Sequence, residues 1–142
     1  MPDNPKGLLL DTHVWLWLME GHSRLAPAVR ETIQENVPDR RLHVAAISVW
    51  ELAMLEAKGR IAFDVECGVW VRRALAAPGF VMIPLLPEIS IASTRLPGEF
   101  HGDPADRLIV ATARQCGCTL VTADQAILDY AASGNLRVLP AD

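Results

Sequence analysis

The stretch GLLLDTHVWLWLMEG, residues 7–21, decides the fold class of this 142-residue chain. Three consecutive leucines predict a short strand that is buried on both faces. Asp11 ends that strand, and the segment behind it predicts a short helix that stops near Gly21. A two-sided apolar strand that leads straight into a helix is typical of a parallel sheet covered by helices on both faces.

The same alternation of strand and helix continues along the chain. Further strands are predicted at LHVAAIS (42–48), FVMIPL (80–85), TLVTAD (119–124) and LRVLP (136–140). Further helices are predicted at LAPAVRETIQENVP (25–38), SVWELAMLEAKGR (48–60), CGVWVRRALAAPG (67–79), PEISIASTRLPG (87–98), about 104–116, and QAILDYAAS (125–133). The length suits a single domain over residues 1–142, and the pattern predicts an α/β fold with a parallel sheet.

Composition indicates a folded globular protein, because 51% of the residues are hydrophobic and 21% are charged. No apolar run has the length of a membrane span, and the N-terminal MPDNPKG lacks the pattern of a secretion signal. We therefore expect a cytoplasmic protein with no membrane association. The count and spacing of Cys67, Cys116 and Cys118 fit neither a redox pair nor a zinc site, so we expect reduced, mostly buried thiols.

The net charge of −4 argues against a non-specific nucleic-acid coat, which would be strongly basic. It does not exclude an enzyme that acts on nucleic acid. If four acids shared one site with two divalent cations, the ions would cancel the net charge of −4.

Acidic residues fall where predicted strands end or where the following helices start. Asp11 ends the first strand, Glu51 follows the second, Asp106 lies in the first turn of the helix at Pro104, and Asp124 follows TLVT. In parallel α/β sheets, ligands bind beyond the carboxyl ends of the strands. Clustered carboxylates repel one another unless a cation lies among them, and hard oxygen ligands suit Mg²⁺ or Mn²⁺.

Taken singly, three of these acids are better explained by helix capping than by metal binding. The capping patterns are Ser48 to Glu51, Asp103 to Asp106 with Pro104 at the first helical position, and Thr122 to Gln125. Asp11 differs, because Thr12 is the better cap for the helix that follows, and a buried carboxylate without a partner is costly. The four acids together therefore favour a metal site.

Four segments carry a family resemblance: LLLDTHVWLW, AAISVWELA, HGDPADRLIVATA and LVTAD. In order and spacing they resemble the PIN-domain ribonucleases, closely the VapC toxins of bacterial toxin–antitoxin pairs. The resemblance implies a PIN-like α/β/α sandwich with a central parallel sheet of about five strands. It also implies Mg²⁺- or Mn²⁺-dependent hydrolysis of single-stranded or looped RNA that leaves a 5′-phosphate, a cognate antitoxin protein, and frequent homodimers.

By this resemblance the acidic metal ligands are Asp11, Glu51, Asp106 and Asp124, and Thr122 supplies the hydroxyl that accompanies the last acid. We assign Asp11, Asp106 and Glu51 as principal ligands, direct or through water. Asp124 would complete the shell or orient the attacking water. A divalent ion can lower the pKa of water, neutralise charge on the phosphate and hold the leaving oxygen.

Other polar residues near these acids receive lesser roles. Asp103 is expected to cap its helix outside the ligand shell, and His13 to be structural rather than a phosphate contact. His101, in the loop before the acidic helix, is a candidate RNA contact. Arg107 could meet a carboxylate or a phosphate, but a surface ion pair is the default expectation.

Trp15 and Trp17 stand two residues apart, about 200° around a helix. We expect that they cannot both face one core, and that one belongs to an apolar patch on the first two helices. The antitoxin or a second subunit would cover that patch.

Other classes of protein fit less well. A dehalogenase-type phosphohydrolase needs Asp-x-Asp where this chain has Asp11-Thr12-His13, and a receiver domain needs a late strand-end lysine, which neither Lys6 nor Lys58 provides. A dinucleotide-binding fold is excluded because no glycine-rich turn follows the first strand. The alternative that stays open is a PIN-like binding or scaffolding subunit with little catalysis.

Overall fold

The computed structural model describes residues 6–142, in which five strands form one sheet of order β3-β2-β1-β4-β5. The strands are β1 (Leu8–Leu10), β2 (Leu42–Ala45), β3 (Phe80–Ile83), β4 (Thr119–Thr122) and β5 (Val138–Pro140). All neighbouring strands are parallel. The expectation about a secretion signal rests largely on residues 1–5, which lie outside the described residues.

Seven helices are present in the described part of the chain, and they connect the strands. They are α1 (Thr12–Glu20), α2 (Pro27–Glu35), α3 (Ala46–Ala57), α4 (Cys67–Leu75), α5 (Pro87–Ser93), α6 (Pro104–Cys116) and α7 (Gln125–Ala131). None of them, within residues 6–142, is both long and apolar enough to cross a membrane.

The three leucines of β1 supply both faces of the sheet. Leu8 and Leu10 pack into one core cluster with residues of α1, α2 and α4, whereas Leu9 packs into the other with residues of α5, α6 and α7. Leu9 and Leu10 are completely buried, so an alanine at either position should cost about 2–5 kcal/mol. The predicted α/β/α sandwich with a five-stranded parallel sheet is confirmed.

The strand order determines where a site can form. The chain passes from β1 to β2 and β3 on one side, then returns to place β4 and β5 on the other side of β1. At such a reversal the segments after the two neighbouring strands diverge to opposite faces and leave a crevice at the carboxyl edge. Asp11 directly follows β1, and Asp124 follows β4, so both acids lie at this crevice.

Three predicted helix caps are wrong. The strand predicted over residues 42–48 ends at Ala45, which is the N-cap of α3, so Ser48 lies inside the helix and does not cap it. Asp11 rather than Thr12 caps α1, and Asp124 rather than Thr122 caps α7. In each case the displaced hydroxyl is hydrogen-bonded to a residue distant in sequence or to the backbone of the cap itself.

Both tryptophans of α1 are buried, so the predicted apolar patch on the first two helices is wrong. Trp15 is 0% exposed and meets Trp70 edge to face, with ring centroids 5.5 Å apart. Trp17 is 7% exposed and stacks on His22, with centroids 5.8 Å apart. Helix α1 is therefore covered on more than one side, by α4 and by the turn after Gly21 as well as by the sheet.

The cysteines match their expected state within the described residues. Cys116 and Cys118 are buried and Cys67 is half-buried, and all three are thiols rather than disulfides. Burial raises the pKa of the Cys118 thiol to about 12, which keeps it protonated at neutral pH.

Candidate metal centre and the acidic cavity

A cavity of about 350 Å³ opens at the carboxyl edge of the sheet, and we call it the acidic cavity. Its lining includes carboxylates from the ends of two strands, from within α3 and from the start of α6: Asp11, Glu51, Asp103, Asp106 and Asp124. The structure thus brings the four predicted acids together and adds Asp103. Apart from Asp103 and Asp106, these residues are far apart in sequence, and the packing of the strands and helices makes them neighbours.

Asp11 is the most deeply buried of the acids, with 8% exposure. Its Oδ1 accepts a hydrogen bond from the Thr12 amide at 2.9 Å, and its Oδ2 accepts one from the Thr122 hydroxyl at 2.7 Å. Burial raises the pKa of Asp11, and these two hydrogen bonds oppose that rise. The carboxylate is therefore held in one orientation at the end of β1.

Thr122 connects Asp11 to Asp124. Its fully buried hydroxyl donates to Asp11 and accepts a hydrogen bond from the Asp124 amide at 3.0 Å. Asp124 in turn accepts from the Ala126 amide at 2.9 Å and the Ile127 amide at 3.2 Å, both through Oδ1. The cap of α7 uses only this one oxygen, so a single side chain can both cap the helix and face the cavity.

Glu51 is positioned by a chain of hydroxyl groups rather than by a capping box. The Thr12 hydroxyl donates to Glu51 Oε1 at 2.5 Å and lies 2.8 Å from the Ser48 hydroxyl. Because Thr12 has one hydroxyl proton and gives it to the carboxylate, Ser48 must donate to Thr12. Ser48 and Glu51, which have the spacing of a local helix cap, are therefore both hydrogen-bonded to Thr12 of α1.

Asp106 lies in the first turn of α6 and is half-buried among the other acids of the cavity. Its amide donates to Asp103 Oδ1 at 2.8 Å, which confirms Asp103 as the cap of α6. Burial, then the charges of the neighbouring carboxylates, raises the pKa of Asp106 to about 7. The contributing carboxylates are Asp103, Asp124, Asp11 and Glu51. Five acids thus repel one another across one half-buried cavity.

The donor set fits a hard divalent cation held partly through water. Carboxylate oxygens are the ligands that Mg²⁺ and Mn²⁺ prefer, and Mg²⁺ commonly keeps several waters beside one or two carboxylates. Within residues 6–142, no three acidic, imidazole or thiol groups stand close enough to hold one ion directly. The acids share a cavity without the tight convergence of a ready-made inner shell.

The remaining predicted residues have mixed outcomes. The surface ion pair expected of Arg107 is not found with any acid of residues 6–142; its guanidinium instead donates to the carbonyls of Ser93 and Phe100, each at 2.9 Å. Carbonyls at a helix end lack partners within the helix, so Arg107 satisfies one at the end of α5.

His13 is exposed at the rim of the acidic cavity. His101 lies outside its lining, 3.7 Å from Glu99, and its contact with RNA stays a prediction.

Sequence reasoning missed two residues of the cavity wall, Trp17 and Arg24. It also missed Gly102, where an added Cβ would collide with the Phe100 ring and approach the Asp106 Cβ to 2.9 Å. A glycine directly before the cap Asp103 was the available signal for close packing. No local signal pointed to Arg24, because its partners come from distant segments.

Comparison with known proteins agrees with this architecture. A family model described as PIN domain matches residues 8–133. The chain is 37% identical over 123 residues to Ribonuclease VapC22 of Mycobacterium tuberculosis (strain ATCC 25618 / H37Rv), covering 87% of this chain and 91% of that protein.

Two solved structures share the fold. The structure of VapBC2 from Rickettsia felis bound to a promoter DNA fragment contains a chain with a TM-score of 0.70 and 16% identity, covering 96% of this chain and 99% of that one. A toxin–antitoxin complex from Klebsiella pneumoniae contains one with a TM-score of 0.64 and 19% identity, covering 95% and 98%. Because the family model matches most of the length of this chain, the chain belongs to the PIN-domain family.

Proposed function

We propose that this protein is a toxin of a toxin–antitoxin pair, a Mg²⁺- or Mn²⁺-dependent endoribonuclease that hydrolyses single-stranded or looped RNA. The observation that carries the proposal is the acidic cavity, where four separate segments of the chain bring carboxylates to the switch point of a parallel sheet. Identity of 37% to a protein named as a ribonuclease supports the same activity.

The acids have distinct tasks in this proposal. Asp11, Asp106 and Glu51 hold the cation, directly or through water, and Asp124 completes the shell or orients the attacking water. When bound, the ion would lower the pKa of water and neutralise charge on the phosphate. Thr122 holds Asp11 and Asp124 in position relative to each other through its two hydrogen bonds. Thr12 holds the Glu51 carboxylate in position through the hydrogen bond that its hydroxyl donates.

A cognate antitoxin is the proposed protein partner, because the chains that share this fold include one in a toxin–antitoxin complex.

We also propose a homodimer. Helices α3 and α6 line an apolar groove beside Glu51 with Ile47, Trp50, Met54 and Leu108, and Trp50 is 55% exposed. An exposed tryptophan in an apolar groove favours a protein contact there, and not on α1 as the sequence suggested.

Two further expectations remain proposals. The thiol state of the three cysteines supports a cytoplasmic location. One sheet joins β1 near one end of the described chain to β5 near the other, which supports a single domain over residues 1–142.

A second candidate is a PIN-like binding or scaffolding subunit with little catalysis. One observation favours it: among the described residues, no three potential ligands are already close enough for direct coordination of one ion. The two candidates differ in whether a metal ion activates the protein.

RNA cleavage by purified protein tests the proposal. A fluorescent single-stranded RNA should be cut with Mn²⁺ or Mg²⁺, and Asp11→Asn and Asp106→Asn should each abolish the cleavage. Asp39→Asn is the matched control, because it makes the same chemical change at an exposed residue before β2, at the opposite edge of the sheet. Cleavage that persists equally in all three variants would exclude this cavity as the active site, and no cleavage by the parent protein would favour the scaffold.

A further inference from the structure

Arg24 lies in the turn between α1 and α2 and forms part of the wall of the acidic cavity. Its guanidinium carbon lies 4.5 Å from the centre of the Trp17 ring. Its Nη2 donates to Asp142 Oδ2 at 2.9 Å, and the two side chains are 58% and 40% exposed. The arginine therefore has a rigid aromatic support on one side and a carboxylate partner on its edge.

Both partners of Arg24 are fixed by the fold. Trp17 is buried in the core and stacks on His22, whose Nδ1 accepts the Arg24 amide at 3.0 Å. Asp142 follows Ala141, whose amide donates to the Thr122 carbonyl and whose carbonyl accepts the Ala26 amide, each at 2.9 Å. The cation is thus held at the edge of the site by contacts with both α1 and the segment after β5.

The chemistry of this arrangement suits a phosphate. A guanidinium that lies on an aromatic ring keeps the donors at its edge directed outward, and those donors match carboxylate and phosphate oxygens equally. The other ionisable side chains of the cavity wall in the described residues are five acids, together with His13. Because these carboxylates repel the phosphates of an RNA strand, the Arg24 guanidinium offers a positive contact in the cavity wall besides the proposed cation.

We propose that Arg24 binds a backbone phosphate of the RNA, and that Asp142 occupies Arg24 only when RNA is absent. This inference rests on the proposed function and adds an RNA-binding residue to it. The exchange is feasible because both side chains are partly exposed, and ion pairs of that kind are weak and screened by salt.

The proposal makes the two members of one ion pair behave in opposite ways. Arg24→Ala should weaken RNA binding about tenfold, since a charge-assisted contact to a phosphate is lost. Arg24→Lys should restore part of that loss, because lysine keeps the charge but not the paired donors. Asp142→Asn should tighten RNA binding about threefold, because it removes the competing anion. If the pair served only to hold the fold, both Arg24→Ala and Asp142→Asn would act in the same direction.

The test is the binding of a fluorescent single-stranded RNA in EDTA, followed by anisotropy over a range of salt concentrations, with KM and kcat measured separately in Mn²⁺. Arg24→Ala should raise KM with little change in kcat, and should lower the slope of log affinity against log salt by about 0.7. Arg95→Ala, an exposed arginine after α5, is the matched control for net charge. Melting temperatures establish that each variant is folded.

The outcomes separate the two proposals. If the parent protein cuts RNA but Arg24→Ala binds it as the parent does, or Asp142→Asn weakens binding, the role of Arg24 is overturned and the nuclease proposal stands. If the parent protein neither binds nor cuts RNA, the proposed function fails, and the role of Arg24 fails with it.

Discussion

Replacing Asp106 by asparagine should stabilise the metal-free protein. The pKa of the Asp106 carboxyl is raised from 3.8 to about 7 by burial and by the neighbouring carboxylates, so ionisation opposes folding. Because the pKa of Asp106 is higher in the folded state than in the unfolded state, this carboxyl favours folding most when it is protonated in both states, below about pH 4. Its ionisation then removes stability progressively until the pH passes about 7. Asparagine resembles the protonated acid and avoids that loss.

The magnitude follows from the same pKa. A change from 3.8 to about 7 corresponds to at most about 4 kcal/mol. Asp106 is only half-buried, so solvent screening reduces this to roughly 2 kcal/mol. The acid also complements the dipole of α6 from its first turn, which returns about 0.5 kcal/mol. We therefore expect a net gain of about 1–1.5 kcal/mol at pH 8, or about 3–6 °C in melting temperature.

The assay is thermal unfolding in EDTA at pH 8 and again at pH 4.5, with Asp39→Asn as the control. The gain should be present at pH 8 and nearly absent at pH 4.5, whereas the control should change little at either pH. Asp11→Asn should gain less than Asp106→Asn, because an amide group would replace an oxygen that accepts a hydrogen bond. A lower melting temperature for Asp106→Asn at pH 8, or a gain independent of pH, would refute the reasoning.

Three more substitutions test how the site is held. Thr122→Val removes one buried and one partly buried hydrogen bond and should cost about 1–3 kcal/mol by chemical denaturation; an unchanged unfolding midpoint would contradict this. Ser48→Ala removes the donor that supports the Thr12 hydroxyl, so it should cost about 1 kcal/mol and lower the RNA cleavage rate; full activity would show that this hydroxyl chain is dispensable. Gly102→Ala should displace the Phe100 ring or Asp106 and weaken Mn²⁺ binding, which titration calorimetry can measure against the parent protein.

The central part of the fold was predictable because its signals are local. Three successive leucines can be buried only between two layers of helices, and Leu9 faces one core cluster while Leu8 and Leu10 face the other. Acids at strand ends could be placed at one edge because parallel strands end together. These two arguments predicted the sandwich and the acids that line the cavity.

Other features depend on contacts between distant residues, which local patterns do not contain. Ser48 and Glu51 have the spacing of a capping box, yet the strand ends early and both residues turn to Thr12, 36 and 39 positions away. The pairing of Arg24 with Asp142 spans 118 positions.

The prediction that the tryptophans of α1 form an apolar surface patch was wrong for a related reason. A helical wheel assumes one covered face, whereas Trp70 and the turn at His22 cover further sides of this helix.

Direct titration with Mn²⁺ tests the central claim most plainly, namely that the carboxylates of the acidic cavity form a site for a divalent cation. Protein stripped with EDTA and then dialysed should bind Mn²⁺ saturably in a calorimeter, and its melting temperature should rise with the concentration of free ion. Asp106→Asn should lose both effects, and Asp39→Asn should keep them. An absence of saturable binding by the parent protein, or equal binding by Asp106→Asn, would contradict the account.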